Sequence, residues 1–162
     1  MSMCALCGRS MQGHDRQVRF RLPDPVLRAP DQDHAKGTWK TDEDPNAAVM
    51  MLVPEVGAFV RALLPVQLTG GHAVTFGVWV GVHPDDLRRA FDTWWTPEYV
   101  DLRLDGRLAN ALPTWEVLGV PVTLAVTDPD TTPFCIRSPD HVLESVLTTE
   151  WDHEPVLAGL PD

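Results

Sequence analysis

The sequence lacks most of the patterns that identify a function directly. Its 162 residues contain no P-loop, no GxGxxG, no HExxH and no EF-hand calcium loop, the usual signatures of nucleotide sites, metalloproteases and calcium sites. No apolar run approaches the roughly 20 residues that span a bilayer, so no membrane helix and no membrane partner are expected. Three cysteines is an odd number, and no disulfide framework follows from it.

The first residues also lack the apolar core of a signal peptide. Polar and thiol side chains occupy positions 1–11, where a secretory signal would place a continuous hydrophobic segment. The sequence therefore predicts a cytoplasmic protein, in a compartment where thiols stay reduced.

Basic residues are scarce beyond the first quarter of the chain. The net charge is -10, and residues 41–162 carry six Lys/Arg against nineteen Asp/Glu, whereas residues 1–40 carry seven against four. Because phosphate contact requires Lys and Arg at the surface, no nucleic-acid partner is expected. The acidity favours solubility first, and it also suits a basic protein partner.

The composition predicts a single globular domain over residues 1–162. A hydrophobic content of 44% with 22% charged residues is typical of a packed chain. Within the domain we distinguish three parts: a knuckle segment at 1–22, an irregular Pro- and Asp-rich connection at 23–45, and an α+β body at 46–162.

Alternating apolar residues predict a hairpin in the body. Residues 59–68 and 74–82 each place apolar side chains on one face, and Thr69-Gly70-Gly71-His72 is a turn signal between them. His72 is expected to be an exposed residue of that turn. Pro65 would remove a ladder donor, so the first strand is expected to lie at an edge or to break there. Further strands are expected at residues 49–53, 120–126 and 134–137.

Two helices are predicted by their start signals. His83-Pro84-Asp85-Asp86 opens one, followed by an apolar stripe that reaches Trp94 and Trp95, and Ser138-Pro139-Asp140 opens another that runs to about residue 151. Residues 99–113 are expected to be less regular, with a turn signal at Asp105-Gly106. Together these elements predict an α+β fold with a mostly antiparallel sheet, two main helices and a short N-terminal Cys-x-x-Cys knuckle.

The Cys4-x-x-Cys7 pair is the clearest candidate for a metal site. Its two-residue gap lets both thiolates face one ion, so Cys4, Cys7 and His14 are the candidate zinc ligands. A structural zinc site needs four ligands and no second Cys-x-x-Cys is present, so the fold would have to complete the site from residues such as His34, Cys135, His141 or His153. The alternative is a knuckle that packs without metal. A thioredoxin-like redox pair is disfavoured, because no strand can precede Cys4.

Trp79 and Arg61 suggest a second candidate site. Trp79 lies between Gly77 and Gly81 on the face of its strand opposite the valines, where two glycines leave a shallow space beside the indole. Packing against the chain itself is the default interpretation, and a binding face formed by Arg61 and Trp79 is the functional hypothesis.

Several short motifs resemble those of one bacterial family: Cys4-x-x-Cys7-Gly8, Pro23-Asp24-Pro25, Phe59-Val60-Arg61-Ala62-Leu63-Leu64-Pro65-Val66, Phe76-Gly77-Val78-Trp79-Val80, Leu108-Ala109-Asn110-Ala111-Leu112-Pro113 and Pro139-Asp140-His141. Over nearly its whole length the chain resembles the domain of unknown function 2199 family. The resemblance implies no activity, because that family is uncharacterised. Family members tend to have a histidine closer behind the second cysteine than His14 is here, and often a further cysteine near residues 41–44, where this chain has none. Both departures weaken any metal site that the resemblance implies.

Two functional hypotheses follow. The first is a non-catalytic binding or interaction protein, zinc-stabilised at its N-terminus if the knuckle binds metal, and acting on a basic partner. The second is an enzyme of unidentified class in which His141 or Cys135 lies near a cleft. Neither residue sits in a recognisable nucleophile motif.

Overall fold

The structure is a computed structural model that describes residues 16–29, 37–45, 47–158 and 160. These ranges contain nine strands: β1 (Arg16–Arg19), β2 (Trp39–Lys40), β3 (Met50–Val53), β4 (Gly57–Leu68), β5 (His72–Val82), β6 (Arg103–Leu108), β7 (Pro121–Ala125), β8 (Phe134–Arg137) and β9 (Glu150–Trp151). They also contain four α-helices: α1 (Asp24–Leu27), α2 (Pro84–Thr93), α3 (His141–Thr148) and α4 (His153–Ala158).

Five consecutive strands close into a barrel. From β4 to β8 each strand pairs antiparallel with the next, and β8 returns to β4 through one parallel pair, Leu63 with Phe134. The Leu63 amide donates to the Pro133 carbonyl at 2.9 Å across this seam. The fold is therefore mixed α+β, as predicted, but its sheet is closed rather than open.

The remaining strands extend the barrel at its margins. β1 runs parallel to β5, and β3 pairs antiparallel with β4 and carries β2 beyond it. β9 lies parallel to the last two residues of β4. This arrangement brings the segments before and after the barrel against its two longest strands.

The barrel interior confirms the predicted hairpin face. Alternate residues of β4 and β5 point inward and are fully buried: Val60, Ala62, Leu64, Val66, Val74, Phe76, Val78 and Val80. Because side chains alternate across a strand, the same register turns Arg61, Gly77 and Trp79 to the outer face.

Pro65 does not break its strand. β4 continues through it, paired with Thr75 of β5. The amides of Arg61 and Leu63 donate away from β5, to Val49 and Pro133, so position 65 faces the same side. On that side, Pro65 lies between the residue that pairs with β8, Leu63, and the first residue that pairs with β9, Gln67. The amide hydrogen that proline lacks would therefore have no ladder partner there.

Two further expectations are corrected by the structure. Residues 103–108 form β6 although Asp105-Gly106 was expected to be a turn, because Leu104 and Leu108 are buried while Arg103 and Asp105 point outward. Helix α2 ends at Thr93, before Trp94 and Trp95. In the part of the chain that the structure describes, no helix is both long and apolar enough to cross a membrane.

Candidate functional sites

The predicted metal ligands Cys4, Cys7 and His14 lie outside the described residues. Within the ranges that the structure describes, no group of three or more His, Cys, Asp or Glu side chains is arranged to hold a metal ion. The zinc hypothesis for Cys4 and Cys7 therefore stays a prediction.

Arg61 and Trp79 are neighbours, as the hypothesis required, but they do not form an open face. They are register partners on β4 and β5, and both side chains are 0% exposed. The default interpretation, packing against the chain itself, is the arrangement in the structure. A partner could not contact either side chain without displacing the segments above them.

A second hydrophobic core covers this outer face of the hairpin. Trp79 packs there with Phe59, with Ala109 just after β6, and with residues from α1, β3 and the segments around them: Leu22, Val26, Ala48, Met51 and Val53. We call this group the outer core. It explains why the described residues between β1 and β3 lie against the barrel instead of extending from it.

Arg61 joins the outer core to three distant segments by hydrogen bonds. Its guanidinium donates to the Pro45 carbonyl at 2.8 Å, to the Gly77 carbonyl at 3.2 Å and to the Ala48 carbonyl at 3.4 Å, and it also donates to the Phe20 carbonyl. All four acceptors are backbone carbonyls, which carry no formal charge. The planar fork of donors suits this arrangement, since one side chain satisfies carbonyls from several directions.

The charge of Arg61 is balanced by dipoles and by an aromatic ring. Its guanidinium carbon lies 4.1 Å from the Trp79 ring centroid, a cation–π contact. Burial and, as the smaller cause, the nearby charge of Arg19 together lower the pKa of Arg61 to about 9. A pKa of that value still leaves the guanidinium charged at neutral pH, where it can donate to all its carbonyl partners.

Asn110 and Asp24 form the second half of the same network. The Asn110 side-chain oxygen accepts from the Trp79 amide at 2.7 Å, and its nitrogen donates to the Leu22 carbonyl at 2.9 Å and to Asp24 Oδ1 at 3.1 Å. The other Asp24 oxygen accepts from the Ala111 amide at 2.9 Å. Four of the motifs that carry the family resemblance thus meet at Asp24, Arg61, Trp79 and Asn110, and their shared role here is to hold the outer core together.

Two histidines meet at the opposite end of β5. His72 is the first residue of β5 and is 7% exposed, and His153 opens α4 at 2% exposed, with ring centroids 5.6 Å apart. His153 Nδ1 lies 2.7 Å from Thr69 Oγ1, which also accepts from the His153 amide. The turn signal at Thr69–His72 predicted an exposed loop histidine, and that prediction is wrong because β9 brings α4 against the turn.

The residues named for the enzyme hypothesis do not make a reactive pair. Cys135 is buried on β8, and burial raises the pKa of its thiol to about 12. A thiol with that pKa is protonated at neutral pH, whereas the thiolate is the nucleophile. His141 is exposed at the first position of α3, where Asp140 caps the helix by accepting from the Leu143 amide.

An exposed tryptophan follows α2. Residues 93–96 form a type II turn: Trp94 has φ -56° and ψ 123°, Trp95 has φ 63°, and the Thr96 amide donates to the Thr93 carbonyl. The third position of such a turn favours glycine or asparagine, yet Trp95 occupies it and its side chain is 55% exposed. A tryptophan in this position bears backbone strain and leaves half of a large apolar surface in water.

Trp95 borders a cavity of about 520 Å³, lined by Trp95, Thr96, Pro97, Val100, Pro129 and Asp130. We call these residues the Trp95 surface. The Trp95 ring is held from behind by Tyr99 and Trp94, at centroid distances of 4.8 Å and 5.7 Å. The surface is thus an ordered apolar patch with a carboxylate at its margin.

The protein is a barrel-based α+β domain: a closed barrel carries an outer core that buried hydrogen bonds hold in place. The family model for an "Uncharacterized protein conserved in bacteria (DUF2199)" matches residues 3–148, and the chain belongs to that family. The resemblance inferred from the motifs is thereby confirmed. Comparisons with curated proteins and with solved structures found no match.

Proposed function

We propose that this protein is a non-catalytic interaction protein of the bacterial cytoplasm that binds a basic protein partner through the Trp95 surface. The observation that carries the proposal is the exposed indole of Trp95 in a turn position that favours glycine. Strained backbone positions persist where surrounding structure or function retains them. Large exposed aromatic side chains are also the residues that dominate binding energy at protein interfaces.

The charge around Trp95 selects the chemistry of the partner. The two segments that line the cavity, residues 90–101 and 126–132, contain five Asp or Glu and no Lys or Arg. All five carboxylates are exposed: Asp92, Glu98, Asp101, Asp128 and Asp130. Asp130 lines the cavity itself, whereas Glu98 and Asp101 line a neighbouring cavity together with Arg89 and Arg103. Their potential would attract and orient a positively charged segment, while the apolar patch supplies the contact area.

The position of Glu98 supports this electrostatic role. A hydrogen bond with the Thr96 side chain, followed by one with the backbone, lowers the pKa of Glu98 below its usual value. Both hydrogen bonds favour the ionised carboxylate, which is next in sequence to Pro97 of the Trp95 surface.

A selection from a random peptide-display library against the full chain tests the proposal. We expect the selected peptides to be rich in Lys and Arg beside an apolar residue, and to bind more weakly as salt is added. Fluorescence polarisation with one labelled selected peptide then measures the affinities of variants. Trp95→Gly, which suits the turn, should weaken binding by about 30-fold or more, as loss of a central aromatic contact does.

Matched variants separate this surface from the others. Asp130→Asn should weaken binding severalfold and reduce its salt dependence, since Asp130 lines the cavity. Val142→Ala removes an exposed apolar side chain from α3, on another element, and should leave the affinity unchanged. Recovery of no peptide, or of peptides that bind the Trp95→Gly variant as tightly as the wild type, would contradict the proposal.

A further inference from the structure

We infer that a cavity on the outer face of the barrel binds an apolar α-amino acid through its ammonium and carboxylate groups. The cavity has a volume of about 530 Å³ and lies where β4, β5 and β6 run side by side, with Phe59, Gly81, Asp105 and Arg107 in its lining. Small-molecule sites have volumes of this order, about 300–1,000 Å³. The cavity shares no lining residue with the Trp95 surface, so the inference does not rest on the proposed function.

The register of three strands places the central residues of the cavity in one row. Phe59 of β4 pairs with Gly81 of β5, and Gly81 pairs with Arg107 of β6. Because paired residues lie directly opposite one another, their side chains leave the same face of the sheet. Glycine has no side chain to fill the middle of the row, so a depression remains between the phenyl ring and the guanidinium.

Neither backbone strain nor close packing requires glycine at position 81. Gly81 has ordinary strand backbone, and the nearest nonadjacent atom, Arg107 O, would lie 3.7 Å from a Cβ there. Gly77, on the other side of Trp79, differs because the Arg19 side chain fills its space, with Cγ 3.3 Å from the position of a Cβ. The two glycines predicted a shallow space beside the indole, and among the described residues the part at Gly81 stays open.

Two opposite charges border this depression without neutralising each other. Asp105 and Arg107 are exposed and lie two residues apart on the same face of β6, a separation of about 6.7 Å along a strand. A hydrogen bond orients each of them: Arg107 donates to the Gly119 carbonyl at 3.1 Å, and Asp105 Oδ1 accepts from the Thr123 hydroxyl at 2.7 Å. In the part of the chain that the structure describes, neither takes part in an ion pair.

The arrangement suits a molecule with an anionic and a cationic group on one carbon and an apolar substituent beside them. The Arg107 guanidinium has further N–H donors for a carboxylate, and Asp105 Oδ2 can accept from an ammonium. The apolar substituent would lie over Gly81, between the Phe59 ring and Val56. An α-amino acid with an aliphatic or aromatic side chain carries all three groups, whereas a phosphate ester would bring negative charge against Asp105.

NMR titration of the full chain, labelled with ¹⁵N at glycine, tests the site in the wild type. L-Leucine and L-phenylalanine should each cause saturable shifts of the amide resonances of Gly57, Gly81 and Gly106, which line the cavity. The resonances of Gly70 and Gly71, in the turn before β5, should stay in place. Absence of saturable shifts at the three cavity glycines with both amino acids would overturn the proposal.

The same titration then measures the affinities of variants. Gly81→Val places a branched side chain that suits a strand into the cavity, and should abolish binding without lowering the urea midpoint. Arg107→Gln should weaken binding by about 10- to 150-fold, the effect of losing a hydrogen bond to a charged group. Arg103→Gln removes an exposed arginine of the same strand outside the cavity and should bind as the wild type does. Wild-type affinity in Gly81→Val would place the ligand elsewhere and overturn the site.

Derivatives of leucine separate the roles of the two charges. L-Leucinamide lacks the carboxylate and N-acetyl-L-leucine lacks the ammonium, and each should bind the wild type about 10- to 150-fold more weakly than L-leucine. Arg107→Gln should then cause no further loss with L-leucinamide, and Asp105→Asn none with N-acetyl-L-leucine, because the group that each residue binds is already absent. Either derivative binding as tightly as L-leucine would contradict recognition of a free amino acid.

Discussion

The two faces of the β4–β5 hairpin are both buried, and they are buried in different ways. The inner face is apolar throughout, with Val78 and Phe76 packed inside the barrel. The outer face combines aromatic packing with a buried guanidinium at Arg61 and a buried amide at Asn110. The inner face needs only shape and apolar area, whereas the outer face also needs hydrogen-bond partners at fixed positions.

Those partners come from segments far away in the sequence. The carbonyls that Arg61 contacts belong to residues between positions 20 and 77, and the Asn110 amide reaches Leu22 across 88 positions. The outer face therefore decides how Phe20, Leu22, Pro45 and Ala48 attach to the barrel. Substitutions on the two faces should therefore differ in how much they lower the free energy of unfolding and in how that loss depends on pH.

Loss of the Arg61 guanidinium should have the largest effect on stability. Arg61→Met keeps much of the side-chain volume but leaves the carbonyls of Pro45, Ala48 and Gly77 without these donors. We expect a loss of about 4 kcal/mol in the free energy of unfolding, since each buried unsatisfied group costs roughly 1–3 kcal/mol. Urea denaturation followed by tryptophan fluorescence measures it.

Two other arginine variants sharpen that result. Arg61→Lys should recover only part of the stability, because an ammonium cannot reach carbonyls in four directions. Arg103→Met changes an exposed arginine and should stay within about 0.5 kcal/mol of the wild type. If the Arg61→Met variant proved as stable as the Arg103→Met variant, apolar packing alone would hold the outer core, as it holds the inner face.

The barrel interior, where Cys135 of β8 packs in the same core as the inner face, should show its own signature at alkaline pH. Burial raises the pKa of Cys135 to about 12 in the folded chain, from an ordinary value of 9. Between these values the unfolded chain ionises and the folded chain does not, so stability falls as pH rises, by about 1.4 kcal/mol per pH unit for one group. The contribution is fully present below pH 9.

Replacing this thiol isolates its contribution. Cys135→Ala should be less stable than the wild type at pH 8, and the difference should shrink as the pH is raised from 9 to 10.5, because the variant has no thiol to ionise at this position. Urea midpoints at three pH values provide the measurement. A difference that stays constant with pH would mean that the Cys135 thiol ionises as readily in the folded barrel as in the unfolded chain.

The two faces were not equally predictable. Alternation in residues 74–82 predicted the inner face, since burial of a strand face leaves a period of two in the sequence. It also placed Trp79 on the opposite face, but nothing local indicated that Leu22 and Ala48 would cover it. Burial of an arginine depends on carbonyls that the fold supplies, and a carbonyl has no sequence signature.

Other differences have similar physical causes. Closure of the barrel rests on one parallel pair, Leu63 with Phe134, between strands that no short-range pattern connects. Strand β6 places Leu104 and Leu108 on its buried face, but the local sequence Asp105-Gly106 between them predicts a turn. The start of helix α2 was predicted correctly because its signal is local: the His83 side chain accepts from the Asp85 amide at 3.1 Å.

Trp95 lies outside both faces and should contribute least to stability. Its φ of 63° disfavours any residue with a Cβ, by about 1 kcal/mol, whereas glycine adopts it without strain. Trp95→Gly also loses the ring contacts with Tyr99 and Trp94, which act in the opposite direction. We expect these effects to cancel to within about 1 kcal/mol, so that the urea midpoint barely moves while peptide binding weakens strongly. A large loss of stability in Trp95→Gly would mean that the indole is retained for packing, and the case for a docking surface at this turn would fail with it.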